Sequence, residues 1–237
     1  MKKIVTALAV LSVFITVGCN KDENEITKQK IEMDEVKLGQ VGEFAILAGS
    51  AITNTGETVI KGDLGLSPGT SVDGFPPGEV NGTTRVNDDM SKQAKLDLAD
   101  AYNDAKGRTS DDIVTLEGNI GGLTLTPGLY KSTSSLEISS GDVTFDAKGD
   151  ASAVFIIQIA SSFTTTSDRA VILSGGAVAS NIFWQVSSSA SFGTTSVMKG
   201  IVMAQEAITF NTGATLDGRA LARTGEITLE GNTIIKK

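Results

Sequence analysis

The segment from Asn181 to Ile235 repeats itself with a period near 20 residues. Setting Gln185-Val186 over Met203-Ala204, an offset of 18, also puts Ser191-Phe192 on Thr209-Phe210, Thr194 on Thr212 and Gly200 on Gly218. A further offset of 19 puts Ile208-Thr209 on Ile227-Thr228. Short runs of alternating polarity with Gly-rich corners at this period specify stacked coils of β-strand. One coil cannot bury its apolar side alone, whereas a stack shares a continuous core. The recurring phrase has four residues: two small or polar, one mostly apolar, then Thr or Ser. It recurs upstream at Ser161-Ser162-Phe163-Thr164, at Gly141-Asp142-Val143-Thr144 and at Ser50-Ala51-Ile52-Thr53. Successive side chains of a strand point to opposite faces. Ile52, Val143, Phe163, Ala190, Ile208 and Ile227 are therefore expected in the core. Thr53, Thr144, Thr164, Ser191, Thr209 and Thr228 are expected in a column outside it.

Composition narrows the chemistry. The chain has 237 residues, of which 40% are hydrophobic, enough for one domain with a sizeable core. Aromatics are only 5% and Gly numbers 26, which suits an aliphatic core with many tight corners. A net charge of −8 disfavours nucleic acid, whose phosphates attract Lys and Arg. There is no His, the commonest general base and neutral metal ligand, and a single Cys, which excludes an internal disulfide and a Cys-based zinc site. No cofactor and no metal are expected, and the chain is expected not to be an enzyme.

Residues 1–18 have the form of an export signal: basic Met1-Lys2-Lys3, then an apolar run from Ile4 to Val17 too short to span a membrane comfortably. The run ends Thr16-Val17-Gly18-Cys19, which resembles a bacterial lipobox with Cys19 as the lipidated mature N-terminus. Thr16 departs from the Leu, Val or Ile usual there. The other reading is an ordinary secretory signal with Cys19 incidental; lipidation is preferred because the lone Cys stands where a lipobox needs it. The protein is thus expected to be exported and lipid-anchored to the outer membrane or cell surface, or otherwise secreted. The charged residues 19–37 read as a flexible tether. The folded domain, residues 38–237, should open with a buried strand at Phe44-Ala48, followed by a corner and turn at Gly62-Gly69 and an irregular loop at Phe75-Gly78. One helix is expected near 88–106: capping and acidic residues at Asn87-Asp88-Asp89, then Met90, Ala94, Leu98, Ala101, Tyr102 and Ala105 at helical spacing, and a stop at Gly107. Its apolar face must lie along one side of the β stack. Ile120 to Tyr130 reads as strand, Pro-Gly turn, strand.

Five phrases carry a family resemblance: Gly121-Gly122-Leu123-Thr124-Leu125-Thr126-Pro127-Gly128-Leu129-Tyr130-Lys131, Val154 to Ile159, Val171 to Ala177, Asn181 to Val186, and Asn211 to Ala222. Together they resemble the ice-binding (antifreeze) protein family of cold-adapted bacteria, fungi and microalgae, over essentially all of residues 38–237. The resemblance implies a mainly β fold, a right-handed discontinuous β-solenoid (β-helix) of triangular section with one long α-helix packed alongside, in which the first coil lies next to the last rather than the second. It implies an ice site on one flat β face, with the motif Thr, Ala or Gly, any residue, then Thr or Asn. Mapped here, the motif falls on Ser50 to Thr53, Glu206 to Thr209 and Gly225 to Thr228, and more loosely on Gly141 to Thr144, Ser161 to Thr164 and Ser188 to Ser191. The expected ice-contacting residues are Ser50, Thr53, Thr144, Ser161, Thr164, Ser188, Ser191, Thr209 and Thr228. A second strip, ranked lower because its Gly residues suggest a corner, comprises Thr55, Thr58, Thr194, Thr212, Thr215 and Thr233. The partners expected are the ice surface and, through the anchor, a membrane; the domain is expected to be a monomer.

Thr suits such a face because its hydroxyl bonds water, its methyl orders water beside it, and its stiff χ1 costs little entropy to fix. Thr also favours exposed strand positions on propensity alone. Two rivals remain. A lipid-anchored adhesin or glycan-binding module fits the anchor and the repetitive face, but aromatic platforms for sugars are missing, Trp184 and Tyr130 reading as core. A polysaccharide-cleaving enzyme would draw on Asp142, Asp146, Asp150, Glu206, Asp217, Glu226 and Glu230, which read better as solvated charges.

Overall fold

The computed structural model describes residues 33–237. The segment read as an export signal, Cys19 and most of the segment read as a tether lie outside them. The described chain is mainly β, with one α-helix and three parallel sheets of twelve, eight and three strands. Every strand pairing is parallel, and the pairings that bring the repeats together step by about one coil. The repeat registers are those of the sequence: Gln185 pairs with Met203, Ser191 with Thr209, Gly200 with Gly218 and Thr209 with Thr228. Gly218 shows why that position repeats as glycine. Its φ is 149°, and a Cβ there would sit 1.9 Å from the Gly200 carbonyl oxygen of the coil beneath.

Burial separates the sheets by what covers them. In the twelve-stranded sheet, Phe44–Ala48, Phe155–Ile159 and Ile182–Val186 are buried at every residue. Alternate side chains of Phe155–Ile159 enter two cores: Phe155, Ile157 and Ile159 join the interior of the stack, while Ile156 joins a cluster under the helix. A strand covered on both faces reads as a continuous apolar run, as these do. In the eight-stranded sheet, Phe163–Thr165, Ala190–Phe192 and Ile208–Phe210 alternate between buried and partly exposed, so only one face is covered. Ile52, Val143, Phe163, Ala190, Ile208 and Ile227, expected inside, are all at most 1% exposed. Phe163 stacks on Trp184 at 4.6 Å, and Phe192 tilts against Phe210 at 4.8 Å, forming an aromatic spine beneath the eight-stranded sheet.

The helix, Asp89–Gly107, starts where the capping signal places it: Asp88 accepts from the Ser91 backbone N–H at 2.7 Å. Ala94, Leu98, Ala101, Tyr102 and Ala105 bury against the twelve-stranded sheet with Ile156, Phe183, Met203 and Leu221. Its C-terminal end is closed by the sheet. The Gln158 amide, 5% exposed, donates to the carbonyls of Ala105 at 2.8 Å, Lys106 at 3.2 Å and Arg108 at 2.9 Å. These oxygens have no partner within the helix, and the sheet supplies one.

Three expectations about the chain path are corrected. Asp63–Leu66, read as part of a corner, is a strand paired with Phe44–Ala48; its Leu64 and Leu66 fill the core of the end coil. The first coil lies beside the last, as Ile52 opposite Ile227 shows, but it also pairs on its other side with the segment that follows it, through Ser71–Asp73 and Glu79–Asn81. The discontinuity falls after this second segment, where the helix carries the chain along the stack. Packing also begins before residue 38. Val36 is fully buried under the helix and Met33 packs beside it.

Candidate functional site

The eight-stranded sheet presents an outward face on which no other element of the described residues packs. Its central column is set by register. Thr164 lies opposite Ser191, Ser191 opposite Thr209, Thr209 opposite Thr228, and Thr228 opposite Thr53. Five hydroxyl residues therefore occupy one position on five adjacent strands, all partly exposed. Their neighbours in sequence are the fully or nearly fully buried Phe163, Ala190, Ile208, Ile227 and Ile52, so each rung is anchored by the residue before it. Neighbouring parallel strands stand about 4.8 Å apart, so the five rungs span roughly 19 Å. The Thr53 and Thr228 hydroxyls are 3.5 Å apart, Thr53 donating.

Three residues earlier runs a parallel column of Ser161, Ser188, Glu206, Gly225 and Ser50. Backbone bonds hold it in step: Ser188 N–H to Ser161 O at 3.2 Å, Glu206 N–H to Ser188 O at 3.1 Å, and Ser50 N–H to Gly225 O at 3.2 Å. Glu206 is exposed, and its carboxylate accepts from the Ser188 hydroxyl at 2.9 Å and the Ser189 hydroxyl at 3.3 Å. The Glu226 carboxylate is exposed on the neighbouring rung.

Thr144 does not belong to this face. It pairs with Thr124 and Ile172 in the three-stranded sheet. The rung that continues the column is Glu137, opposite Thr164, and then Asn119; at the other end Asp73 follows Thr53. The rung Ser134-Ser135-Leu136-Glu137 was missed because a period near 20 points to Thr144, whereas the coils here step by 27, Leu136 to Phe163 to Ala190. Ser135 confirms the register, its hydroxyl 2.9 Å from that of Ser162. The sequence signal was Ser134-Ser135 itself, which repeats Ser161-Ser162 and Ser188-Ser189 at offsets of 27.

The second strip does not form one surface. Thr58 is fully buried, its hydroxyl accepting from Asn232 N–H at 2.9 Å. Thr55, Thr194 and Thr212 are exposed near the end of the eight-stranded sheet, where Thr212 donates to Glu230 at 2.9 Å. Thr215 and Thr233 lie in the twelve-stranded sheet between Val197 and Val59. The next outward column there carries Lys199, Asp217, Ile235 and Lys61, three of them charges that hold their own water.

Most of the carboxylates considered for catalysis are engaged by neighbouring groups. Asp142 faces Arg169 at 3.7 Å, and Asp217 faces Lys199 and Lys237, each at 3.9 Å. Asp146 bonds Lys148, whose side-chain and backbone N–H groups hold its carboxyl below the usual range. Asp150 accepts from Ser152. Among the described residues no group of three or more His, Cys, Asp or Glu could hold a metal ion. Trp184 and Tyr130 are both core residues, 0% and 5% exposed. Burial raises the Tyr130 phenol, which bonds the Thr126 backbone.

A family model described as ice-binding-like matches residues 46–235 of this chain. An ice-binding protein of Nostoc sp. (strain HG1) is 43% identical over 199 residues, covering 83% of this chain and 72% of the relative. One of Colwellia sp. is 40% identical over 213 residues, covering 84% and 83%. The crystal structure of an ice binding protein from an Antarctic biological consortium matches with a TM-score of 0.87 at 66% identity, over 87% of this chain and 93% of that one.

Proposed function

The chain belongs to the ice-binding-like family, and we propose from its own geometry that it adsorbs to ice through the outward face of the eight-stranded sheet. The fold we propose is a right-handed solenoid of triangular section, with this sheet as its flat side. The observation that carries the reading is the in-register column Thr164, Ser191, Thr209, Thr228 and Thr53, each rung fixed by a buried neighbour. A rigid column of hydroxyls and methyls, about 4.8 Å apart from strand to strand, offers ordered water a matching template. Ser161, Ser188 and Ser50 extend it by a second column. Thr144 and the second strip are left out. Stacked coils resist the twist that would spoil the match.

Adsorption through such a face would slow ice growth and recrystallisation, or hold a cell to ice. We place the protein outside the cytoplasm, lipid-anchored through Cys19 and acting as a monomer. The anchor follows from the lone Cys after Val17-Gly18. Cys19→Ser should block processing or release the protein from membranes, and a mature protein found in the medium without acyl chains refutes it. The test of the main reading is ice-affinity partitioning: the domain should be incorporated into slowly growing ice. Exclusion from ice, together with capture on immobilised glycans, would favour the adhesin reading.

A further inference from the structure

We infer that Glu137 sets the length of the ice-contacting column: it occupies a rung built like the five beside it and ends the hydroxyl series there. This rests on the ice-binding reading of that column. Register places it. Leu136–Ile138 pairs with Phe163–Thr165 on one side, with Glu137 opposite Thr164, and with Gly118–Asn119 on the other. Leu136 and Ile138 are fully buried, so Glu137 projects outward between them, as Ser191 and Thr209 do between their own buried neighbours. The rest of the rung matches as well. Ser134-Ser135-Leu136-Glu137 differs from Ser161-Ser162-Phe163-Thr164 at its outward positions only in the last residue. The Ser135 and Ser162 hydroxyls, 2.9 Å apart, hold the two phrases in step.

The charge at this rung has no evident structural task. Charges on an edge strand keep its open side from pairing with another chain. Asp73, which ends the column at the opposite end, lies on such a strand, since Ser71–Asp73 pairs only with Ala51–Thr55. Glu137 lies on a strand paired on both sides. Among the described residues its carboxylate accepts from the Ser139 hydroxyl at 2.8 Å and pairs with no Lys or Arg. A carboxylate keeps its own hydration, because stripping water from a charge is costly. Water held that way does not continue a lattice laid over hydroxyls and methyls. Glu206 and Glu226 carry the same charge in flanking columns; Glu137 and Asp73 alone place one in the central column. Beyond Glu137 the series does not resume. The Asn119 side-chain oxygen accepts from the N–H groups of Gly121, Ser139 and Ser140 at 3.0, 2.9 and 3.3 Å, so it serves the adjoining turns. Glu137→Thr would therefore add one rung, extending the column from roughly 19 Å to roughly 24 Å.

The test compares the wild-type chain with Glu137→Thr and Glu137→Gln at equal concentration. Each is measured by ice-affinity partitioning, thermal hysteresis and a thermal melt. Glu137→Thr should raise hysteresis above wild type with the melt unchanged. Glu137→Gln removes the charge without supplying the hydroxyl and methyl, and should stay below Glu137→Thr. Should Glu137→Thr fold poorly, Glu137→Ser, which supplies the hydroxyl alone, is read in its place against the same expectation. If wild type enters ice but the folded hydroxyl variant shows hysteresis no higher, the inference is refuted while the ice reading stands. If Glu137→Gln gains as much, lost charge rather than an added rung explains the rise, and the inference again fails. If wild type is excluded from ice, the ice reading itself falls.

Discussion

Thr209 is the middle rung of five, with Ser191 and Thr164 on one side and Thr228 and Thr53 on the other. Thr209→Tyr places a phenol ring at that rung. Strands are about 4.8 Å apart, less than the ring's breadth, so the ring overhangs both neighbouring rungs. It also stands well above the methyls and holds an ice plane off them. Three of the five rungs lose contact at once, leaving Thr164 and Thr53 isolated at opposite ends. Because each contact is weak and binding depends on many matched together, the expected result is loss of ice shaping and of thermal hysteresis. The fold should be untouched. Thr209 points outward from a strand whose Ile208 and Phe210 are fully buried, and Tyr is as good a strand former as Thr. Surface changes of this kind stay within about 0.5 kcal/mol. The assay pairs thermal hysteresis and ice-affinity partitioning with a thermal melt of the same sample. An unchanged melt with normal hysteresis refutes the column as the ice site. Loss of activity in Thr215→Tyr instead would move the site to the twelve-stranded sheet.

Three further outcomes test the architecture that presents the column. Leu98→Ala opens a cavity at a fully buried helix position and should cost roughly 2–5 kcal/mol, measured by denaturant unfolding; an unchanged midpoint means the helix does not share the core. Gln158→Ala strips the helix end of the donor for three carbonyls and should cost about 1–3 kcal/mol, with faster amide exchange in the last helical turn; unaltered exchange there would remove Gln158 as the cap. Burial, aided by Arg223, lowers the Lys95 ammonium to about 8 from its ordinary 10.5, although it donates to the carbonyls of Ala222 and Arg223 at 2.6 Å. The unfolded chain then holds that proton more tightly than the folded one, so charged Lys95 penalises folding below pH 8 and the penalty fades as pH rises toward 10.5. Relative to Lys95→Met, the wild-type chain should gain up to about 3 kcal/mol across that window. A difference that stays flat with pH excludes the effect.

Much of this protein was legible in one dimension. A strand has a period of two and a coil a period near 20, so Ile208-Thr209 over Ile227-Thr228 fixes both the stacking register and which residue is buried. The start of the helix was equally local, an Asp cap followed by an apolar stripe, whereas Gly107, expected as its stop, is still helical and the end is closed from the sheet by Gln158. What the sequence could not determine is the side of the coil on which a given strand lies. Val143-Thr144 and Ile208-Thr209 obey the same alternation, inside then outside, yet stand on different sheets. The side is decided by where the chain turns. Coils carrying an extra strand step by 27 residues rather than 18, so equal spacing along the chain is unequal spacing around the stack. Thr58 shows the same limit at a single residue: its phrase resembles a rung, but closure of the first coil onto Asn232 turns its hydroxyl inward. Alternation is a property of the backbone, and the chain carries it everywhere. The choice of face depends on which coil closes against which, and that exists only once the stack has formed.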